Sequence, residues 1–346
     1  MVRRWDGDLY VSIAERGFEI HRCGNPPIWC GNPWFPGWPY VNEAVWVGLG
    51  MRALGVPINT VFMTLGAAAF LALLMLLFSY SAAFMREPGR WRVDETRLGV
   101  WACLGLVCQP GSFYYLTQFP YAFVLITALL FVTLTRAPAL LACSPTSASA
   151  IAVFLGFACT LSYPSSFLFA LYPFAQFVYD KRFFDLRSWL KLAGWGAVFL
   201  SGTLLVCLIF RFKFGMFWLY FINHSQYPHT TPIVSTLSVV TDLIRNAGEN
   251  ERLTFLWYAF GLTLVGLRVP QVHREPSFWF VVLMLVFFPA NGTWVGLYRY
   301  YVLGLPLFVL LGAAECAGWL KGAYLVLGIL LQFGVLYPKY IAGNLI

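Results

Sequence analysis

Ile58–Ser81 reads INTVFMTLGAAAFLALLMLLFSYS and contains no Asp, Glu, Lys or Arg. A helix needs about 20 consecutive apolar residues to cross a bilayer, and this run supplies them. Working outward, further apolar segments lie at roughly 98–115, 119–135, 148–162, 165–179, 191–210, 253–268, 277–290, 301–319 and 322–338. Several are shorter than a full span, which predicts tilted, re-entrant or broken helices. Pro110, Pro120, Pro164 and Pro289 mark the expected breaks. The 346-residue chain is 60% hydrophobic and 11% charged, with a mean hydropathy of +0.70; a soluble domain carries about 25% charged residues. The expectation is an all-α polytopic membrane protein, a bundle of about ten transmembrane or half-membrane helices.

A net charge of +8 in a soluble protein would suggest nucleic acid. Here Lys and Arg sit mainly in short loops between apolar runs, so topology and lipid headgroups account for them. The densest short basic loops are 85–97 and 180–191, which predicts that both are cytoplasmic. Alternation then puts the N-terminal head, the long loop at about 211–252 and the loop near 290–300 on the outer side. The sequons Asn223-His224-Ser225 and Asn291-Gly292-Thr293 fall on that side too. Arg3 and Arg4 would then lie outside with nothing upstream to carry them across. The expectation is that a first transmembrane helix is missing upstream; a translocated short tail or an inverted topology are the alternatives. The first residues are polar and charged, unlike a cleavable signal peptide.

The expected organisation is a catalytic head at 1–56 and a helical bundle at 57–346. Six of the eight cysteines lie in or beside apolar segments and read as small core residues. Cys23 and Cys30 instead bracket a polar, Pro-containing loop and are disulfide candidates in an oxidising compartment.

The head carries the chemistry. Trp5-Asp6-Gly7-Asp8 places two carboxylates in the first polar loop of an acid-poor chain, ahead of a short helical stretch from Leu9 to Arg16. A carboxylate at a membrane surface is costly unless solvated, paired or used. Asp6 and Asp8 either share a divalent ion, or one takes a proton from a hydroxyl nucleophile while the other holds substrate. Pro33-Trp34-Phe35-Pro36-Gly37-Trp38-Pro39-Tyr40 reads as a rigid aromatic loop that either stacks a sugar ring, grips an isoprenoid tail or anchors the head at the interface. An amphipathic stretch from Val41 to Leu54 follows.

Trp5-Asp6, Tyr10, Ile13-Ala14, Gly17-Phe18 and Trp34-Phe35-Pro36-Gly37-Trp38-Pro39 together resemble the first outer loop of PIG-V-type mannosyltransferases, members of the GT-C class of membrane glycosyltransferases. Gln118-Phe119-Pro120-Tyr121-Ala122-Phe123 stands where that family has a turn with Glu and Ser, and lacks both. Tyr298-Arg299-Tyr300 with Leu305-Pro306-Leu307-Phe308 resembles its late segment.

The resemblance implies a sugar donor linked to polyprenyl or dolichyl phosphate, a lipid-linked or glycan acceptor as in GPI anchor biosynthesis, and inversion at the anomeric carbon. It also implies that Asp6 is the catalytic carboxylate, whereas Asp8 falls at a variable family position. Arg299 is the candidate for the donor phosphate, since a guanidinium forks two phosphate oxygens. Trp5, Tyr10, Trp34, Phe35, Trp38, Tyr300 and His224 complete the expected substrate-binding set. No cofactor is expected, with Asp6 and Asp8 as ligands if a divalent ion is used. The membrane is bacterial cytoplasmic or endoplasmic reticulum, with the site on the periplasmic or luminal side.

The other readings are a transporter or lipid flippase and a non-catalytic membrane subunit. Transporters place ionisable residues at mid-membrane depth. In this sequence the span centres are free of charge. Glu315, with Lys321 six residues on, reads as interfacial.

Overall fold

The computed structural model describes residues 6–23, 28–85, 94–181, 183–225, 248–290 and 297–342. It is an all-α membrane protein with one small hairpin. Helix α1 (Asp6–Arg16) opens the chain, followed by the antiparallel strands β1 (Ile20–Cys23) and β2 (Ile28–Gly31) and then α2 (Gly37–Gly48). The bundle is α3 (Ile58–Tyr80), α4 (Glu95–Cys108), α5 (Tyr121–Arg136), α6 (Pro145–Ser162), α7 (Leu171–Tyr179), α8 (Leu186–Phe214), α9 (Leu219–Ser225), α10 (Glu249–Arg268), α11 (Pro276–Ala290), α12 (Leu297–Tyr300), α13 (Leu305–Ala313) and α14 (Gly318–Leu331). A π-turn at Gln332–Leu336 continues α14 into α15 (Tyr337–Ala342).

Among the described residues, four helical stretches are long and apolar enough to cross a membrane: Ile58–Phe84, Pro145–Ser162, Leu186–Phe214 and Gly318–Ala342. Segment 253–268 lies in the 20-residue α10, whose first turn carries Glu249 and Glu251; the other predicted segments form shorter helices, and burial explains why the chain tolerates them. Along α13 every residue from Leu305 to Leu311 is buried, and in α5 Leu125, Ala128, Leu129, Phe131 and Val132 are too. A helix encased in protein need not reach both faces of a bilayer, because its backbone and side chains never meet lipid. By contrast α3 exposes Leu71, Met75 and Phe78, an i, i+4, i+7 stripe suited to acyl chains.

Pro110, Pro120 and Pro164 stand at element boundaries as expected, but Pro289 stays within the last turn of α11. Of the expected loop at about 211–252, residues 226–247 lie outside the described residues, and helix occupies part of the rest. Helix α8 runs on to Phe214, with Arg211 and Lys213 in its last turn, where cations favour the helix dipole, and Gly215 caps it at φ 75°. Asn223 is buried, so its sequon is not an open acceptor site in this conformation; Asn291 lies outside the described residues.

The up-and-down path sorts the connections to two ends. At the far end Arg136 Nη1 donates to Ala83 O (3.0 Å), Ser277 Oγ to Phe84 O (2.6 Å), Tyr179 OH to His273 O (3.0 Å) and Glu315 N to Arg268 O (2.9 Å). The head sits at the other end. Tyr10, Val11 and Ala14 of α1 join the same buried cluster as the bundle. Gly37 starts α2 hard against the end of α6: a Cβ there would lie 2.4 Å from Ser162 Oγ and 2.8 Å from its backbone nitrogen.

Candidate functional site

The carboxylates do not lie in a loop. Helix α1 begins at Asp6, so the Asp6 and Asp8 positions occupy its first turn, where acidic residues also favour the helix dipole on structural grounds alone. Gly7, Tyr10, Val11 and Ala14 line the buried face. By backbone register Asp6 falls in line with Tyr10 and Ile13, at i, i+4 and i+7. Asp8 is half-buried on the flank. Positions two apart on a helix lie about 200° apart around the axis, so an ion shared by the pair would have to bridge two faces of α1. Among the described residues no three His, Cys, Asp or Glu side chains group as a metal site. Trp5 and the Asp6 side chain are outside the described residues.

The floor beneath α1 is the connection between α4 and α5. A Cβ at Gly7 would meet Gln118 Oε1 at 2.9 Å, so glycine allows this close seat. Gln118 Nε2 donates to Asn59 Oδ1 (3.2 Å), and its main-chain oxygen accepts from Trp38 Nε1 (3.0 Å). From here an aromatic chain runs across the end of the bundle. Tyr10 packs on Phe119 (ring centroids 5.9 Å), Phe119 on Tyr121 (5.5 Å), Tyr121 on Tyr163 (5.2 Å) and Tyr163 on Tyr300 (6.4 Å). A second branch links Phe119 to Tyr114 (5.1 Å) and Tyr114 to Tyr298 (6.0 Å, stacked). Arg299 lies between Tyr298 and Tyr300, half-buried. Burial pushes the Tyr114 hydroxyl well above its usual range; Tyr298 adds to this and the Arg299 charge opposes it. Thus α1 and the Arg299 turn rest on one aromatic floor at one end of the molecule.

The aromatic loop divides its labour. Phe35 and Trp38 are 1% and 2% exposed. Phe35 packs edge-on against Tyr220 (4.9 Å), and Trp38 lies against Phe62 and Phe123 (6.2 and 5.5 Å). Their ring faces are taken up by the protein, so here both anchor the head rather than offer an open platform. Trp34 is half-buried beside Tyr10 and Tyr220 (6.1 Å each) and keeps surface to offer. His224 is in α9; its side chain is outside the described residues.

Two supports were not foreseen. Asn32, 2% exposed, donates through Nδ2 to Ser12 Oγ (2.6 Å) and Gly17 O (3.1 Å) while its Oδ1 accepts from Glu19 N (2.6 Å), fixing α1 to the hairpin. The hairpin also holds the bonded pair Cys23–Cys30, Cα atoms 5.9 Å apart. The second support lies below Arg299. Tyr258 OH donates to Tyr301 O (2.6 Å) and contacts Gln109 Oε1, Gln109 Nε2 donates to Tyr115 OH (2.5 Å), and Tyr115 OH donates to Val302 O. This buried clamp grips the main chain two and three residues past Arg299. A lone Gln among apolar residues at 109 was its only sequence signal.

No family model, curated protein or solved structure matches the chain.

Proposed function

We propose that this chain is a membrane glycosyltransferase of the GT-C class, moving a mannose-like hexose from a polyprenyl-phosphate donor to an acceptor hydroxyl. The observation that carries the reading is the shared floor: the helix that begins at Asp6 and the turn that bears Arg299 meet it at the same end of the bundle. The resemblance of both segments to PIG-V-type enzymes adds the substrate class.

In this reading Arg299 holds the donor phosphate and stabilises the charge that builds on it as the glycosidic bond breaks. The acceptor oxygen attacks the anomeric carbon from the opposite face, its proton passes to the Asp6 carboxylate, and the polyprenyl phosphate leaves with the bonding electrons. Inversion follows from the single displacement. Asp8, on the flank of α1, assists in this reading, and Trp34 and Tyr300 border the sugar.

The test uses the full chain in nanodiscs with radiolabelled polyprenyl-phosphate mannose and a lipid and glycan acceptor extract. Wild type transfers label, and Asp6→Asn loses about 10²–10⁴-fold, the usual contribution of a general base. No transfer by wild type with any hexose donor would turn the reading toward a transporter or scaffold.

A further inference from the structure

The far end of the molecule, opposite the aromatic floor, holds a hollow of about 600 Å³ lined by Arg97, Arg268, Glu315, Cys316 and Trp319, a size typical of small-ligand sites. Arg97 lies in the first turn of α4, Arg268 ends α10 and Trp319 is the second residue of α14, so all three stand at helix ends. Neither Arg97 nor Arg268 has an ion-pair or side-chain hydrogen-bond partner among the described residues, and nor does Glu315, which is exposed beside them. The buried Lys321 adds a third cation behind the hollow, its Nζ 3.3 Å from Gly312 O and 5.1 Å from the Trp101 ring. The exposed Arg97 and Arg268 guanidiniums, without an ion-pair partner among the described residues, favour an anion between them.

The surface running away from the hollow is apolar. On α4, Val100 and Leu104 share the face of Arg97 at i+3 and i+7 and are 41% and 43% exposed. On α14, Trp319, Val326 and Leu330 form a second exposed stripe. The two helices pack directly, since a Cβ at Gly328 would lie 2.4 Å from Cys108 O. Charge at the rim over paired apolar stripes has the layout of a headgroup over acyl chains.

We infer that this hollow is a binding site for a membrane phospholipid with an amine-bearing headgroup: Arg97 and Arg268 take the phosphodiester, Glu315 takes the ammonium, and the α4 and α14 stripes take the acyl chains. A carboxylate beside two guanidiniums disfavours a purely anionic headgroup, which is why the amine-bearing class fits.

The test is native mass spectrometry of the full chain in mild detergent, offered equal amounts of phosphatidylethanolamine and phosphatidylglycerol, with inorganic phosphate as competitor. Wild type retains phosphatidylethanolamine in preference, and excess phosphate does not displace it. R97Q/R268Q loses about tenfold in retention, R97K/R268K keeps most of it, and E315Q levels the preference between the two lipids. Thermal unfolding confirms that each variant is folded. Equal retention by folded R97Q/R268Q, preference for phosphatidylglycerol, or displacement by phosphate would each overturn the assignment.

Discussion

Trp38 Nε1 donates to Gln118 O at 3.0 Å, joining residues 80 positions apart in buried surroundings. This bond fastens the head to the connection between α4 and α5, which is the floor under α1. Trp38→Phe keeps an aromatic ring, but it removes part of the buried indole and leaves a buried carbonyl without its donor. The expected cost is about 1–3 kcal/mol, read as a lower thermal midpoint in detergent.

Gly37 tests the same docking from the other side. Gly37→Ala drives a methyl group into Ser162 and its backbone, and overpacking of this kind costs about 1–3 kcal/mol. Gly48, at the other end of α2, has nothing within 4 Å of an added Cβ. Gly48→Ala is therefore neutral or stabilising by up to about 1 kcal/mol. Equal loss in both variants, measured by thermal unfolding, would contradict the close seat of α2 on α6.

The clamp beneath Arg299 predicts a local effect. Tyr258→Phe removes the hydroxyl that meets Gln109 Oε1 and Tyr301 O, at a cost of about 1–3 kcal/mol. Hydrogen exchange should speed up first at 299–303, and donor affinity should fall with Arg299 itself intact. Uniform loss of protection across the bundle would make Tyr258 a general core residue instead.

Alkaline pH supplies another check. Burial holds the Tyr114 and Tyr163 hydroxyls well above their ordinary value of 10.0. A folded pKa above the unfolded one stabilises the folded state below the unfolded value, and that stability is lost as pH rises beyond it toward the folded pKa. The protein should lose stability above about pH 10, the usual tyrosine pKa. Tyrosinate absorbance from these two rings should appear together with unfolding rather than before it.

How much of this was legible in the sequence depended on the kind of signal. The run at Ile58–Ser81 was read directly, because an uninterrupted apolar stretch has few other structures available to it. The apolar segment at 301–319 divides into a short turn, α13 and the break before Gly318. Hydropathy cannot separate a helix facing lipid from one encased in protein, and α13 is the second kind. The hairpin was missed because its strands are four residues each and lack alternation, although the Cys23–Cys30 pair hinted at a closed loop.

At the candidate site, Asp6 stands out as a scarce acid and Arg299 through the resemblance of its segment and the fit of a guanidinium to phosphate, yet nothing local shows that α1 starts at Asp6 and splits the Asp6 and Asp8 positions between two faces. The roles of Phe35 and Trp38 as anchors followed from partners in α3, α5 and α9 that lie far along the chain. The Gln109–Tyr115–Tyr258 clamp was invisible for the same reason, since its members come together only in the folded bundle.

The central claim is that Asp6 and Arg299 serve one donor in separate roles. The most direct measurement is transfer from polyprenyl-phosphate mannose by the full chain in nanodiscs, with donor binding followed separately for Asp6→Asn and Arg299→Ala. The account predicts that Asp6→Asn binds donor as wild type does while kcat falls at least about 100-fold, and that Arg299→Ala weakens donor binding. Wild-type transfer rates in a folded Asp6→Asn variant, or donor binding untouched by Arg299→Ala, would contradict it.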